Sequence, residues 1–288
     1  MKRTNDGGAR RIVVISTGGT IASRWQGTGY AADASGDDVL ATAPLPEDVT
    51  VEVVDLFNVN SSRMTSAHQL ALLRTVHETL ADPGVDGIVV THGTDTLEET
   101  AFLLDLHHTD PRPVVLTGAQ RPFGTGDGDG PGNLYDALQV AASVRDLGVL
   151  VVFDGRVHAA RGTVKTQTLA ADAFSDPSAE RLGRVGFSRV DIERQPERPA
   201  RCPCRPPRGP RTPGRPAPTP PAAPRRHHHA PLRRRPVPPE RRRLRRSQGH
   251  RPRRHRRGQR HPEIAAAVAD AVAKGVLVAV TTRVPRAR

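Results

Sequence analysis

The sequence predicts an α/β fold, in which a parallel-sheet N-terminal domain with flanking helices is followed by the remnant of a smaller α/β C-terminal domain. Two observations support this prediction. Strand-like and helix-like runs alternate over residues 1–193, as they do in proteins whose parallel strands are connected by helices. The predicted strands are also almost continuously apolar, which is typical of strands that are buried on both faces of a sheet.

Each predicted element follows from a local pattern. Four short runs rich in β-branched residues are predicted strands, at residues 11–17, 87–91, 112–118 and 148–154. Three longer runs with apolar residues at helical spacing are predicted helices, at residues 66–82, 97–108 and 133–146. Thr65 or Ser66 can cap the first helix, and Thr96 with Glu99 has the spacing of a capping box for the second.

A basic segment, residues 194–261, differs in composition from the rest of the chain. It holds 23 arginines against two acidic residues and 17 of the 27 prolines, so the net charge of +13 comes from this segment. The remainder of the chain is mildly acidic. As written, the segment has too few apolar residues to form a core, and we expect it to be disordered. At face value such a polycation is able to bind nucleic-acid phosphates, but the sequence as a whole does not favour nucleic acid as a partner.

A shifted reading frame is a second interpretation of the basic segment. In coding DNA rich in G and C, alanine codons such as GCC become proline or arginine codons when they are read out of register. Residues 262–288 return to an α/β pattern, with a helix that ends near Lys274 and Gly275 and then a strand. The predicted organisation is therefore a domain at 1–193, the basic segment at 194–261, and a C-terminal remnant at 262–288.

Other features argue against several classes of protein. No apolar run approaches the roughly 20 residues that cross a bilayer, so no membrane partner is predicted. The N-terminal residues lack the apolar core of a secretory signal, which predicts a cytoplasmic location. Cys202 and Cys204 have the pattern of neither a disulfide framework nor a zinc site.

Polar residues on glycine-rich turns follow the predicted strands, at the edge where open α/β sheets bind ligands. Thr20 follows the first strand, Thr94 and Asp95 follow the second, and Lys165 follows the last. A threonine hydroxyl is a weak nucleophile unless a base or a positioned donor removes its proton. A buried lysine can be that base, and an adjacent aspartate can hold it in place. This set suits acyl transfer, with backbone N–H groups of the turns stabilising an oxyanion.

Together these stretches resemble the asparaginase family of bacterial amidohydrolases, which includes the glutaminase-asparaginases. TGGTIAS at 17–23 resembles the first signature of the family, and GIVVTHGTDTLEET at 87–100 resembles the second. Further similarity runs through PVVLTGAQRP, DGPGNLYDA and RGTVKTQT. The resemblance implies hydrolysis of the side-chain amide of L-asparagine without a metal or organic cofactor. It also implies homo-oligomers in which a neighbouring subunit completes each site.

The same resemblance implies a role for nine residues. Thr20 would attack the substrate amide, and Tyr30, on a flexible loop, would close over it. The implied catalytic residues are Thr20, Tyr30, Thr94, Asp95 and Lys165. The implied substrate-binding residues are Gly19, Ser61, Ser62 and Ala119, with Ser61 at the α-carboxylate, Asp95 at the α-ammonium and Ala119 contributing its backbone carbonyl.

Two alternatives to a free hydrolase stay open at the level of sequence. The basic segment favours an α/β domain with a nucleic-acid-binding arm, although it lacks interleaved aromatic residues for base stacking. An asparaginase-like domain is also similar to the amidase component of tRNA-dependent amidotransferases. Those proteins normally carry an additional N-terminal domain.

Overall fold

A computed structural model describes residues 8–27, 29–187, 189–197, 253–254, 262–276, 278, 281–282 and 284. The predicted disorder of the basic segment therefore falls almost entirely outside the described residues, and so do Cys202 and Cys204. Among the described residues, no helix has the length and apolar character needed to span a bilayer.

A mixed β-sheet lies at the centre of the fold. Its strands are β1 (Arg10–Ser16), β4 (Val49–Asp55), β5 (Gly87–Thr91), β6 (Val114–Thr117), β7 (Val149–Phe153), β8 (Arg156–Ala159), β11 (Gly183–Val185) and β12 (Val190–Ile192). They are arranged in the order β12-β11-β8-β7-β6-β5-β1-β4. The strands from β4 to β7 in this order are parallel, which confirms the prediction. The three strands beyond β7 are antiparallel and were not predicted.

Helices and smaller sheets complete the described part of the chain. The helices are α1 (Gly36–Leu40), α2 (Ser66–Leu80), α3 (Leu97–His107), α4 (Gly130–Ser143) and α5 (Pro262–Ala273). Short 3-10 helices span Thr20–Ala22 and Ser61–Arg63. Separate two-stranded sheets pair β2 (Ser23–Trp25) with β3 (Tyr30–Ala32), β9 (Val164–Lys165) with β10 (Phe174–Ser175), and β13 (Arg253–Arg254) with β14 (Thr281–Thr282).

Helices cover both faces of the central sheet. Alternate residues of each strand face opposite sides, so Ile12 of β1 packs in a core with Leu138 of α4. Ile15 faces the other side and packs in a second core with Leu72 of α2 and Leu104 of α3. Because both faces are covered, the parallel strands need apolar residues at nearly every position, which is the pattern that predicts them.

Element boundaries agree with the sequence where the pattern is strong and differ where it is weak. The sequence does not predict β4, because VTVEVVD alternates in burial and lies at the edge of the sheet. The helix α4 begins three residues earlier than predicted, with Pro131 in its first turn, where proline is well tolerated. The helix predicted to end near Lys274 is confirmed, since α5 ends at Ala273 and Gly275 has φ +74°.

The two predicted helix caps have different outcomes. Thr65 caps α2 by accepting a hydrogen bond from the backbone N–H of His68, and the reciprocal bond of a capping box is present. The capping box predicted for Thr96 and Glu99 is wrong. Thr96 occupies the N-cap position of α3, but its hydroxyl donates to the carbonyl oxygen of Ser61 at 2.9 Å. A contact between distant parts of the chain therefore replaces the local cap.

Candidate active site

The candidate site lies where the order of the parallel strands reverses. The chain passes from β1 to β4 on one side and then returns to β5 on the other side of β1. At such a point the connections diverge and leave a crevice beyond the carboxyl ends of the strands, where α/β proteins bind ligands. Thr20 follows β1 and Thr94 follows β5, and these two strands are parallel neighbours, so the fold brings both threonines to the same edge of the sheet.

Glycines allow the turns after β1 and β5 to touch. Gly19 has φ +86°, and a Cβ atom there would overlap the backbone of Gly93. A Cβ on Gly93 would lie 2.5 Å from the hydroxyl oxygen of Ser61. At both positions only glycine leaves room for the neighbouring segment. The close packing of these turns fixes the separation of the residues that follow them, Thr20 and Thr94.

A buried cluster of three polar side chains lies beside the Gly93 turn. The Lys165 ammonium donates a hydrogen bond to Thr94 Oγ1 at 2.7 Å, and its Nζ lies 3.8 Å from Asp95 Oδ1. All three residues are at most 3% exposed. A buried ammonium is costly unless it is paired, and the Asp95 carboxylate supplies the opposite charge. The structure thus brings together the three residues that the sequence assigns to one unit.

Gln120 is a further member of this cluster that the sequence does not single out. Thr94 Oγ1 donates to Gln120 Oε1 at 3.3 Å, while Gln120 Nε2 donates to the carbonyl oxygens of Thr168 and Ala170 at 3.3 and 3.1 Å. The Thr94 proton therefore points towards Gln120, and Thr94 accepts a hydrogen bond from Lys165. For Lys165 to accept that proton, it must first become neutral and the Thr94 hydroxyl must rotate towards it.

Asp129 holds the turn that carries Ala119 and Gln120. Its carboxylate accepts hydrogen bonds from the backbone N–H groups of Gln120 and Arg121, each at 2.8 Å. Asn133 contributes as well, because its side-chain amide donates to the carbonyl oxygen of Gly118 at 2.9 Å. Ala119, the predicted substrate-binding residue in this turn, is 1% exposed. The GDGDG stretch before α4 therefore provides an anchor for the turn after β6.

The predicted substrate-binding serines lie in the 3-10 helix after β4. Ser61 is buried, and its hydroxyl oxygen accepts a hydrogen bond from the backbone N–H of Asp95 at 3.1 Å. The hydroxyl of Ser62 donates to Asn60 Oδ1 at 3.0 Å. The structure thus joins Ser61 directly to the Thr94–Asp95 turn, whereas Ser62 contributes to the conformation of its own segment.

Thr20 and Tyr30 have different environments. Thr20 begins the short helix Thr20–Ala22 and is 8% exposed. Tyr30 lies on β3, is 54% exposed, and meets the Trp25 ring edge to face with 5.2 Å between ring centroids. The flexible loop predicted at residues 24–38 contains most of the β2–β3 hairpin and the start of α1, while Thr28 lies outside the described residues. Thr20 is therefore largely buried, whereas Tyr30 lies on the surface.

His92 directly follows β5, next to the turn that carries Thr94 and Asp95, and is fully buried. Its Nδ1 is 2.8 Å from the carbonyl oxygen of Gly93, which can only accept, so Nδ1 carries a proton and donates. Burial lowers the pKa of His92 to about 4, which leaves the ring neutral at neutral pH. In the described part of the chain, no three His, Cys, Asp or Glu side chains are grouped to hold a metal ion.

Comparison with known proteins identifies the family. The family model described as "Asparaginase, N-terminal" matches residues 11–198, which include every residue of the candidate site. The chain belongs to the asparaginase family. The match covers the central sheet and ends within the first residues of the basic segment.

Individual asparaginases agree with this assignment. An L-asparaginase of Bacillus licheniformis is 42% identical over 187 residues, which are 64% of this chain and 58% of that protein. L-asparaginase 2 of Bacillus subtilis is 39% identical over 189 residues, 63% of this chain and 50% of that protein. The structure of a probable cytoplasmic L-asparaginase from Campylobacter jejuni superimposes with a TM-score of 0.60 at 35% identity, covering 65% of this chain and 58% of that one. The chain thus spans about half the length of the curated relatives it matches.

Proposed function

We propose that this chain hydrolyses the side-chain amide of L-asparagine to L-aspartate and ammonia, with threonine as the nucleophile. The main support is the buried Lys165–Thr94 hydrogen bond of 2.7 Å with Asp95 beside it, at the sheet edge where Thr20 also lies. Two hydroxyl groups with a lysine and a carboxylate form the set that acyl transfer requires. The asparaginases that resemble this chain point to the same substrate.

In the first half-reaction, Thr20 Oγ1 attacks the amide carbon of the substrate. The C–N bond breaks, the amide nitrogen leaves as ammonia with the hydroxyl proton, and an ester links Thr20 to the substrate. Gly19 lets the backbone approach the reacting carbonyl, because no side chain lies between them. Ser61 and Asp95 would hold the α-carboxylate and the α-ammonium of the substrate, and Tyr30 would close over the crevice from the hairpin.

In the second half-reaction, water attacks the ester and restores Thr20. Thr94 is the group that receives the water proton, once Lys165 in its neutral form has accepted the Thr94 proton. Asp95 then stabilises the ammonium that this transfer creates. Gln120 determines where the Thr94 proton points before the transfer. The same four residues thus act on the water, while Thr20 carries the acyl group.

Substitution of the two threonines tests this assignment. We expect Thr20→Ala and Thr94→Ala each to lower ammonia release from asparagine by about 100-fold or more, with unchanged circular dichroism. Thr50→Ala, at an exposed position on β4, is the matched control and should retain the wild-type rate. A Thr94→Ala variant with near wild-type turnover would contradict the role proposed for the second unit, and the same result for Thr20→Ala would contradict the nucleophile.

Partners and location are further predictions of the same proposal. Self-association into a homo-oligomer and a cytoplasmic location stay predictions. The two alternatives, a nucleic-acid-binding arm and an amidotransferase component, gain no support from the similar proteins, which are L-asparaginases.

We expect the chain to turn over asparagine more slowly than about 1 per second, because residues 194–261 replace much of the smaller domain with a basic segment.

A further inference from the structure

We propose that Glu98 is a positioning residue that holds the backbone of Lys165 so that its ammonium reaches Thr94. The inference deepens the proposed function, since it assigns a role to a residue outside the nine that the sequence selects. It concerns where Lys165 is held, which can be measured whether or not the chain turns over asparagine.

The strand that carries Lys165 is weakly anchored by backbone pairing. β9 consists of Val164 and Lys165 alone, and among the strands of the described residues its partner is the equally short β10. Neither strand belongs to the eight-stranded sheet that carries Thr94 at the end of β5. The ladder of the central sheet therefore does not fix the distance between Lys165 and Thr94, and other contacts must do so.

Glu98 supplies such a contact. Its carboxylate Oε2 accepts a hydrogen bond from the backbone N–H of Lys165. Glu98 lies in the first turn of α3, a few residues after Thr94 and Asp95. One short segment of chain thus holds Lys165 in two places, at its backbone through Glu98 and at its ammonium through Thr94.

The reach of a lysine makes this anchor important. A lysine side chain has four flexible methylene groups, so its ammonium follows any displacement of the backbone. A shift of about 1 Å at the reacting groups is enough to lower rates by roughly 100-fold. Without Glu98, the backbone of Lys165 would lose its hydrogen bond to α3, and the 2.7 Å contact to Thr94 would be held less firmly.

A purely structural role for Glu98 has its own expected behaviour. An acidic residue in the first turn of a helix interacts favourably with the helix dipole and stabilises the helix modestly. Glu99 is the neighbouring acidic residue of the same turn and is exposed to solvent. Glu99→Ala therefore removes the same charge from the same helix end and serves as the matched control for Glu98→Ala.

The lysine composition of the chain allows a direct measurement. The sequence contains three lysines, Lys2, Lys165 and Lys274, so labelling with 13C at lysine Cε gives few NMR signals. Lys165→Met identifies the signal of Lys165 by its disappearance. Because Lys165 is 3% exposed and held by Thr94, we expect its signal in the wild-type chain to be displaced from that of a free lysine and broadened by slow tumbling.

Three variants decide the proposal. Glu98→Ala should move the Lys165 signal towards that of a free lysine. Glu98→Gln keeps an acceptor oxygen and should leave the signal unchanged. Glu99→Ala should also leave the signal unchanged. Where turnover is measurable, Glu98→Ala should lower kcat at least tenfold with KM changed less than threefold. An unchanged Lys165 signal in folded Glu98→Ala, or an equal change in Glu99→Ala, overturns the proposal. Failure of Glu98→Gln to preserve the signal overturns it too. A normal NMR outcome without asparagine turnover would contradict the proposed function alone.

Discussion

Acid should destabilise this protein through His92, and the expected size of the effect follows from its burial. The ring is fully buried and its pKa is lowered from 6.5 to about 4, chiefly by the loss of hydration. Below about pH 6.5 the unfolded chain binds a proton at this histidine that the folded chain does not bind. The stabilising contribution is therefore complete above pH 6.5 and is lost progressively as the pH falls towards 4. Between about pH 7.5 and pH 5 the loss amounts to about 2 kcal/mol.

His92→Asn isolates this contribution. The asparagine side-chain amide can still donate to the carbonyl oxygen of Gly93, as Nδ1 of His92 does, but it does not titrate. We expect the free energy of unfolding to fall between about pH 7.5 and pH 5 in both proteins, and to fall about 2 kcal/mol less in the variant. Urea denaturation monitored by circular dichroism measures this difference. Other titrating groups act equally in both proteins. If the variant loses as much stability as the wild type over this range, the burial argument is wrong.

Three further predictions concern the crevice. Gly93→Ala should lower the free energy of unfolding by roughly 1–3 kcal/mol, because the added Cβ would lie 2.5 Å from Ser61 Oγ. A denaturation midpoint equal to that of the wild type would contradict the close packing of the turns. Lys165→Met should abolish turnover, while calorimetric titration should still detect binding of L-aspartate. A variant that loses this binding but keeps its turnover would contradict the role of Lys165 in the transfer of the Thr94 proton. Trp25, the single tryptophan, is 60% exposed and contacts Tyr30, so its fluorescence should change when L-aspartate binds. An unchanged spectrum at saturation would argue against closure of the hairpin.

The strong local patterns predict most of the architecture. Continuous apolar runs predict β5 with its bounds at Gly87 and Thr91, because a strand covered on both faces needs apolar residues throughout. Once the parallel order is known, the turns after β1 and β5 must meet at one edge, which is why Thr20 and Thr94 can be assigned to one crevice. The fold and the central pair of hydroxyl groups are thus accessible from sequence.

Contacts between distant segments set the limit of sequence prediction. Thr96 and Glu99 have the spacing of a capping box, but the Thr96 hydroxyl donates to Ser61, 35 positions away, and no local pattern encodes that alternative. Gln120 is missed for the same reason, since its amide reaches both Thr94 and the segment at 168–170. The short antiparallel strands beyond β7 have too few residues to show a period.

The basic segment provides the last prediction, which concerns the coding DNA. The family match ends at residue 198, close to the point where arginine and proline begin to dominate the composition. A domain that normally buries apolar residues cannot be built from a stretch in which about one residue in three is arginine, because the buried area would not offset the entropy lost on ordering. A shifted frame explains both the abrupt change and the return to helix-forming sequence at α5.

Sequencing the coding region tests this explanation. We expect compensating single-base shifts near residues 194 and 261, with an alanine-rich reading frame between them. If residues 258–261 are encoded as GGG CAA CGC CAC, the frame one base along reads Gly-Asn-Ala-Thr, which is an ordinary turn before the α5 helix. Restoring that frame should raise asparagine turnover into the range of roughly 1 to 1,000 per second. If neither alternative frame yields an α/β pattern, or if the chain as written already works at such rates, the segment is a genuine basic insertion and the frame argument fails.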